Sequence, residues 1–216
     1  MKFNCSTSKE LMSKIKDLEL KMVDLRFTDM PGTTHHITIP IKFLNEGLFT
    51  DGVGFDGSSV RGFQSIEKSD MTMVPDITTG YIDRFYSEKT IAFYCYIVDP
   101  VTYESYSKDP RFIAKKAEEY LQSSGMGETA YFGPEAEFFI FNDVKYDSGS
   151  NFTFHKVDSE EGAWNTGREE SPNLGHKPRH KEGYFPLPPV DSTHDVRTEM
   201  AITMENIGIN VEAHHH

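Results

Sequence analysis

Only two cysteines occur in the 216 residues, Cys5 and Cys95. One lies near the start and the other inside an apolar run, so a disulfide framework is not expected and a reducing compartment is. Long hydrophobic stretches are missing. The longest oily run, Ile91 to Val98, falls far short of the roughly 20 residues that span a bilayer, and no apolar leader opens the chain. Basic residues are scarce: 22 Lys and Arg stand against 34 Asp and Glu, for a net charge of −12. A phosphate track on nucleic acid and an anionic membrane surface are therefore poor partners, and cations are better ones. Low-complexity tracts and internal repeats are also absent. Apolar residues at 37% and charged residues at 26% are the balance of a folded chain, large enough for one sizeable domain or two small ones.

Periodicity and punctuation predict an α+β chain. Thr7-Ser-Lys-Glu10 is a capping-box pattern, and Leu11, Ile15 and Leu18 follow at helical spacing, which predicts a helix over 8–18. Val23, Leu25 and Phe27 alternate with polar neighbours, Asp29-Met-Pro-Gly32 is a turn, and Thr33 to Ile39 alternates again, so a hairpin is expected there. Pro40 opens a short helix through Leu44 and Leu48. Residues 51–63, rich in glycine, read as a loop, with strands near 70–75 and 89–98. Asp109-Pro110 marks a helix start, Ile113, Ala117, Tyr120 and Leu121 its buried stripe, and Gly125 its end. Residues 144–157 read as a hairpin around Asp147-Ser-Gly149, and 158–190 as a long polar loop. Ser192 is expected to cap a helix bearing Val196, Met200, Thr203 and Ile207, stopped by Gly208. Ile209, Val211 and Ala213 then alternate as a strand, inside which the chain stops, as a sequence cut short would.

Chemistry concentrates in a few places. Phe132-Gly-Pro-Glu-Ala-Glu-Phe-Phe-Ile-Phe141 reads as a strand with Glu135 and Glu137 on one face, roughly 7 Å apart at Cα, and Ala136, Phe138 and Ile140 turned to a core. Two anions on an oily strand are costly unless a cation neutralises them, and a hard divalent ion suits such oxygen ligands. The plainer reading is an edge strand with a solvated face. Gly54-Phe-Asp-Gly-Ser-Ser-Val-Arg-Gly62 permits close backbone approach to a ligand but has the spacing of neither a dinucleotide fingerprint nor a P-loop. Asp56 within it is a base or cation-binding carboxylate, or simply an Asx-turn residue. Glu212 and His214 share a face of the last predicted strand. Clustered Glu and His suit a metal, and three closing histidines equally suit a purification tag.

Six stretches together resemble type I bacterial glutamine synthetase: Val23-Asp-Leu-Arg-Phe-Thr-Asp29, Phe55-Asp-Gly-Ser-Ser59, Phe132-Gly-Pro-Glu-Ala-Glu-Phe-Phe139, Glu161-Gly-Ala-Trp-Asn165, Gly183-Tyr-Phe-Pro-Leu-Pro-Pro-Val-Asp-Ser192 and Val211-Glu-Ala-His-His-His216. They stand in the family's order and cover essentially the whole chain. The resemblance implies a β-grasp N-terminal domain at 1–106, followed at 107–216 by the first part of a catalytic domain with an antiparallel sheet. It implies ATP-dependent ligation of ammonia to L-glutamate through a γ-glutamyl phosphate, with two Mg²⁺ or Mn²⁺ ions at a complete site. By the same resemblance Glu135 and Glu137 are metal ligands, Asp56 binds ammonium and helps deprotonate it, and Ser59 and Tyr184 line that region. Glu212 contacts the nucleotide rather than a metal, and the histidine run is native. The family's stacked rings, with the site shared between neighbours, imply a homo-oligomer and a fragment inactive alone; a cytoplasmic setting is the default from the sparse cysteines and the missing apolar leader. A glutamate–polyamine ligase of the same superfamily, and a non-catalytic structural relative, are the alternatives. Asp56 with Ser59, and the pair of glutamates, argue against them.

Overall fold

The structure, a computed structural model, describes residues 1–165 and 177–216. It divides into two compact units, Met1–Phe132 and Gly133–His216. Residues 166–176, in the middle of the stretch expected to form a long polar loop, lie outside the described residues.

The first unit is an α+β arrangement built on one mixed sheet. Helix α1 (Ser8–Ile15) starts at Thr7, whose hydroxyl accepts from the Glu10 N–H at 3.2 Å. The Glu10 carboxylate reaches back to the Ser6 N–H at 3.1 Å, one residue earlier than a capping box would have it. Leu11 and Ile15 face the core, and the helix ends three residues before Leu18. Strands β1 (Met22–Thr28) and β2 (Thr34–Pro40) form the expected hairpin, closed by the Asp29 N–H donating to the Thr33 carbonyl. A single 3₁₀ turn, Ile41–Phe43, and the short helix α2 (Leu48–Asp51) replace the one helix expected after Pro40.

Strand β3 (Val53–Asp56) lies where a loop was expected, and pairs antiparallel with β4 (Asp70–Pro75). Its four residues include Gly54 and are too few for a period to show. Strand β5 (Tyr81–Asp83), only three residues long, has no visible period for the same reason. Strand β6 (Thr90–Val98) is the centre: it runs parallel to β1 and antiparallel to β4 and β5, giving the order β2-β1-β6-β4-β3 with β5 also on β6. Val23, Leu25, Ile91, Phe93, Cys95 and Ile97 are wholly buried in one cluster with α1. At the α2–β3 junction Gly52 has φ +68°, and a Cβ there would sit 2.5 Å from the Met73 carbonyl oxygen, so glycine is required twice over.

Charge is buried on the opposite face of the same sheet. Asp24 of β1 is 0% exposed, and its carboxylate accepts from His36 Nδ1 at 2.6 Å, Thr38 Oγ1 at 2.8 Å and Arg26 Nε at 2.6 Å. Arg26 also donates to Asp83 at 2.6 Å and to the Tyr81 hydroxyl. Alternation along β1, β2 and β5 places these groups together.

Helix α3 (Pro110–Ser123) has the expected signals: the Asp109 carboxylate accepts from the Arg111 N–H at 3.0 Å, proline follows, and Gly125 at φ +70° ends it. The expected buried stripe is not buried. No residue of α3 is, and Ile113 and Tyr120 are exposed, because no other element of the first unit covers that face.

In the second unit, β7 (Asp143–Ser148) and β8 (Thr153–Asp158) form the expected antiparallel hairpin, and α4 is His194–Asn206. Gly208, at φ +82°, stops α4 as anticipated. Ser192 does not cap it: the N-cap is Thr193, and the Asp191 carboxylate accepts from the Thr193 N–H at 3.1 Å.

Two expected strands are absent. Residues 131–140 and 209–216 carry no regular structure, and no described residue pairs with either as a strand. A strand exists through its ladder hydrogen bonds, and without a partner an extended segment stays unpaired. Phe138 and Ile140, expected in a core, are exposed, as are Phe132 at 88% and Phe139 at 87%. Among the described residues no helix is long and apolar enough to cross a membrane.

Candidate functional site

Asp56 ends β3, and the next three residues form a 3₁₀ turn that it caps. Its Oδ1 accepts from the Ser58 N–H at 2.9 Å and the Ser58 hydroxyl at 2.6 Å, and its Oδ2 accepts from the Ser59 hydroxyl at 2.9 Å. The turn is pressed onto β4: Gly57 N–H donates to the Ser69 carbonyl at 2.6 Å, and a Cβ on Gly57 would meet the Met71 sulfur at 2.4 Å. The Ser58 hydroxyl, then that of Ser59, hold the Asp56 carboxyl below the usual range. The side chain is exposed. The loop thus offers solvent an ionised carboxylate whose orientation is fixed by its own two serines. The Asx-turn expected of Asp56 is present, and it leaves the carboxylate available to a cation.

Glu135 and Glu137 lie on the unpaired segment, and both are exposed. Downstream, the Phe139 and Phe141 rings stack at 5.9 Å and 4°, as alternate side chains do on an extended backbone. Carboxylate oxygens are the right donors for Mg²⁺ or Mn²⁺. Their number is short, since such ions take about six ligands and no group of three or more His, Cys, Asp or Glu that could hold a metal occurs among the described residues. The pair fits a metal in kind but not in number.

The third cluster gathers around the closing histidines. The exposed Tyr184 ring stacks on Phe185 at 4.0 Å, and His215 meets Phe185 edge-on at 4.2 Å and Tyr184 at 5.6 Å. Beneath them His216 donates through Nε2 to Glu161 Oε2 and through Nδ1 to the Gly183 carbonyl, each at 2.6 Å. The other Glu161 oxygen accepts from the Ser192 N–H at 2.7 Å and hydroxyl at 2.8 Å. Burial alone would raise the Glu161 carboxyl; hydrogen bonds from His216 and Ser192 outweigh it and hold it low. Burial would lower His216, and the bonds to Glu161 and Gly183 raise it instead. Asp191, nearly buried, pairs with Arg197 at 2.5 Å. His214 Nε2 lies 3.1 Å from the Thr198 hydroxyl. Glu212 is exposed, on a segment that is not the strand expected to align it with His214.

Of the six residues singled out from sequence, Asp56 and Ser59 are therefore brought together. Tyr184 joins the histidine run, while Glu135, Glu137 and Glu212 stand on irregular, exposed backbone. Glu161, Ser192 and His216 also form a unit that no local pattern in the sequence marks. Glu161 stood out only within a motif, and its partners lie 31 and 55 residues away, beyond any local period.

Two family models match the chain: "Glutamine synthetase, beta-Grasp domain" over residues 19–100 and "Glutamine synthetase, catalytic domain" over residues 107–216. A glutamine synthetase of Microchaete diplosiphon is 51% identical over 211 residues, which is 98% of this chain and 45% of that protein. One from Frankia alni is 51% identical over 210 residues, 97% of this chain and 44% of that protein. The cryo-EM structure of a Plasmodium falciparum glutamine synthetase aligns with all of this chain and 43% of its own, at 25% identity and a TM-score of 0.82. The chain spans a little under half the length of the curated relatives it matches.

Proposed function

Because this chain belongs to the glutamine synthetase family, we propose that it is the N-terminal part of an ATP-dependent ligase joining ammonia to L-glutamate. The observation that carries the reading is identity of 51% with a glutamine synthetase over 98% of the chain. We place the boundary between the β-grasp domain and the partial catalytic domain at 106/107, in the gap between the two matched stretches.

In the proposed reaction ATP phosphorylates the glutamate γ-carboxylate, and ammonia displaces phosphate to leave the amide. Ammonium must give up a proton before it can attack. Asp56 suits that work: it is ionised, exposed and held in one orientation by Ser58 and Ser59, so it attracts the cation and can accept its proton. Ser59 and Tyr184 are assigned to the same ammonium region. Glu135 and Glu137 would each hold one of two Mg²⁺ or Mn²⁺ ions, and Glu212 would contact the nucleotide. When bound, the ions would screen the phosphate charge that ATP brings. The parent is proposed to be a cytoplasmic homo-oligomer of stacked rings, with Asp56 serving a neighbouring subunit.

The test is substrate comparison in the parent chain that carries this sequence. Glutamine formation from glutamate, ATP and ammonia is expected, with Glu137→Ala abolishing metal-dependent turnover. Turnover with polyamines but not ammonia, or full activity of the Glu137 variant, would sink the reading. The 216-residue chain alone is expected to form no glutamine, and measurable formation would overturn its being an incomplete site.

A further inference from the structure

Glu161 sits in a turn that the surrounding backbone fixes. The Gly162 N–H donates to the Ser159 carbonyl at 3.0 Å, the Glu160 N–H donates to Asn142 at 2.7 Å, and the Asn165 amide donates to Asp158 at 2.8 Å and to the Ser159 carbonyl at 3.0 Å. From that platform one carboxylate reaches two distant segments, Ser192 with one oxygen and His216 with the other.

The His216 ring stands between two acceptors. A carbonyl oxygen faces Nδ1 and a carboxylate oxygen faces Nε2. Neither has a proton to donate, so both ring nitrogens must carry one. The alternative, a protonated Glu161 facing a neutral ring, puts the proton on the weaker base. His216 is thus an imidazolium clamped between Glu161 and Gly183. The Asp191 charge favours the same form from nearby, and that carboxylate is itself paired with Arg197.

The clamp sets the backbone beyond it. A Cβ on Gly183 would lie 3.2 Å from the His216 ring, which would have to give by a few tenths of an ångström, so the turn and the ring are in tight register. Two residues on, Phe185 has φ +59°, a strained conformation for an aromatic residue, and its N–H donates to the main-chain oxygen of His216 at 3.2 Å. Tyr184 lies between these two attachments, and its ring packs with Phe185 and His215.

We propose that Glu161 is a positioning residue: its carboxylate holds His216 as an imidazolium, and His216 fixes the Gly183–Phe185 turn that presents Tyr184. The step from Tyr184 to catalysis rests on the ammonium site proposed above. The first test therefore uses the 216-residue chain and no substrate. Long-range ¹H–¹⁵N correlation at neutral pH is expected to find protons on both ring nitrogens of His216, and a singly protonated ring would overturn the proposal with no variant needed. In Glu161→Gln the amide still reaches Ser192, His216 should lose its second proton, and the Tyr184 ring resonances should move while those of β7 and β8 stay. Unmoved Tyr184 resonances would overturn the link. In the parent enzyme the same variant is expected to raise KM for ammonium roughly tenfold, the factor that loss of one charge-assisted hydrogen bond gives, with KM for ATP unchanged. If the resonances move but KM for ammonium does not, the positioning role stands and the assignment of Tyr184 to the ammonium region falls.

Discussion

Replacing Asp24 by Asn tests whether the buried charges of the first unit stabilise it. The substitution keeps size and shape, and Asp24 is fully buried, so solvent cannot compensate. The carboxylate has two oxygens, one serving His36 and Thr38 and the other Arg26 and, at 3.4 Å, the Tyr86 hydroxyl. An amide oxygen can serve one set, and the NH₂ group then points at donors. With the oxygen kept on Arg26, that group faces His36 and Thr38, which lie in exposed positions and are not left as buried unpaired donors. Arg26 also loses one of its two carboxylates. Removing a partner from a buried ion pair costs about 3–5 kcal/mol, and Asp83, still 2.6 Å from the guanidinium, keeps the loss near the lower figure. We expect about 3 kcal/mol in all, which at a urea slope of about 1.5 kcal/mol per molar lowers the midpoint by about 2 M.

The assay must report on the first unit. The single tryptophan, Trp164, lies in the second, so its fluorescence would miss the effect. Amide hydrogen exchange of Val23, Leu25 and Phe93 in the central strands would not. Acid adds a second reading. Burial pushes the Asp24 carboxyl up, but hydrogen bonds from His36, Thr38 and Arg26, with the guanidinium charge, hold it below its ordinary value. Its stabilising contribution is therefore present above about pH 4 and is lost as the pH falls through the lower folded value. The Asn variant should lack that component of acid sensitivity. A loss under about 0.5 kcal/mol, the size of a surface substitution, would refute the network as a source of stability.

Gly52→Ala should destabilise the same unit by about 3 kcal/mol, since the new Cβ would lie 2.5 Å from the Met73 carbonyl oxygen at φ +68°. Hydrogen exchange in β3 and β4 reads this, and a neutral outcome would refute the junction as described. The Cys95 thiol, wholly buried and pushed up to about 12 by that burial, should resist an aromatic disulfide reagent in the native chain and react after denaturation in urea. Prompt native reaction would place Cys95 outside the core.

What could be read from sequence was what short-range physics decides. Strands β1, β2, β4 and β6 alternate or run apolar between turn signals, and the Asp109-Pro110 start of α3 needs only neighbouring residues. Asp56 and Ser59 meet because they stand only three positions apart in one turn. Strands β3 and β5 were hidden because a period needs more than three or four residues to show. The stripe on α3 and the segment 131–140 failed differently: their patterns are those of buried elements, but burial is a relation to something else, and no other described element of its own unit covers either one. The grip of Glu161 on His216 depends on segments 55 residues apart, which no pattern along the chain encodes.

The same distinction bears on the proposed metal ligands. A productive site holds its ligands within roughly 0.5 Å, and a strand achieves that through ladder hydrogen bonds. The backbone of Glu135 and Glu137 has no such ladder, and aromatic neighbours such as Phe138 and Phe139 face solvent. Two carboxylates in water also repel each other weakly, because the dielectric screens them. Covering that segment would pair its backbone and bury its aromatics, at about 1.5–3 kcal/mol for each large side chain. It would also lower the dielectric around the two anions, so that their repulsion grows and a bound cation relieves more of it. Burial of the oily segment and affinity for the ion are then one coupled event. For that reason the glutamates of this chain by itself are expected to bind a divalent cation weakly even though their chemistry suits one.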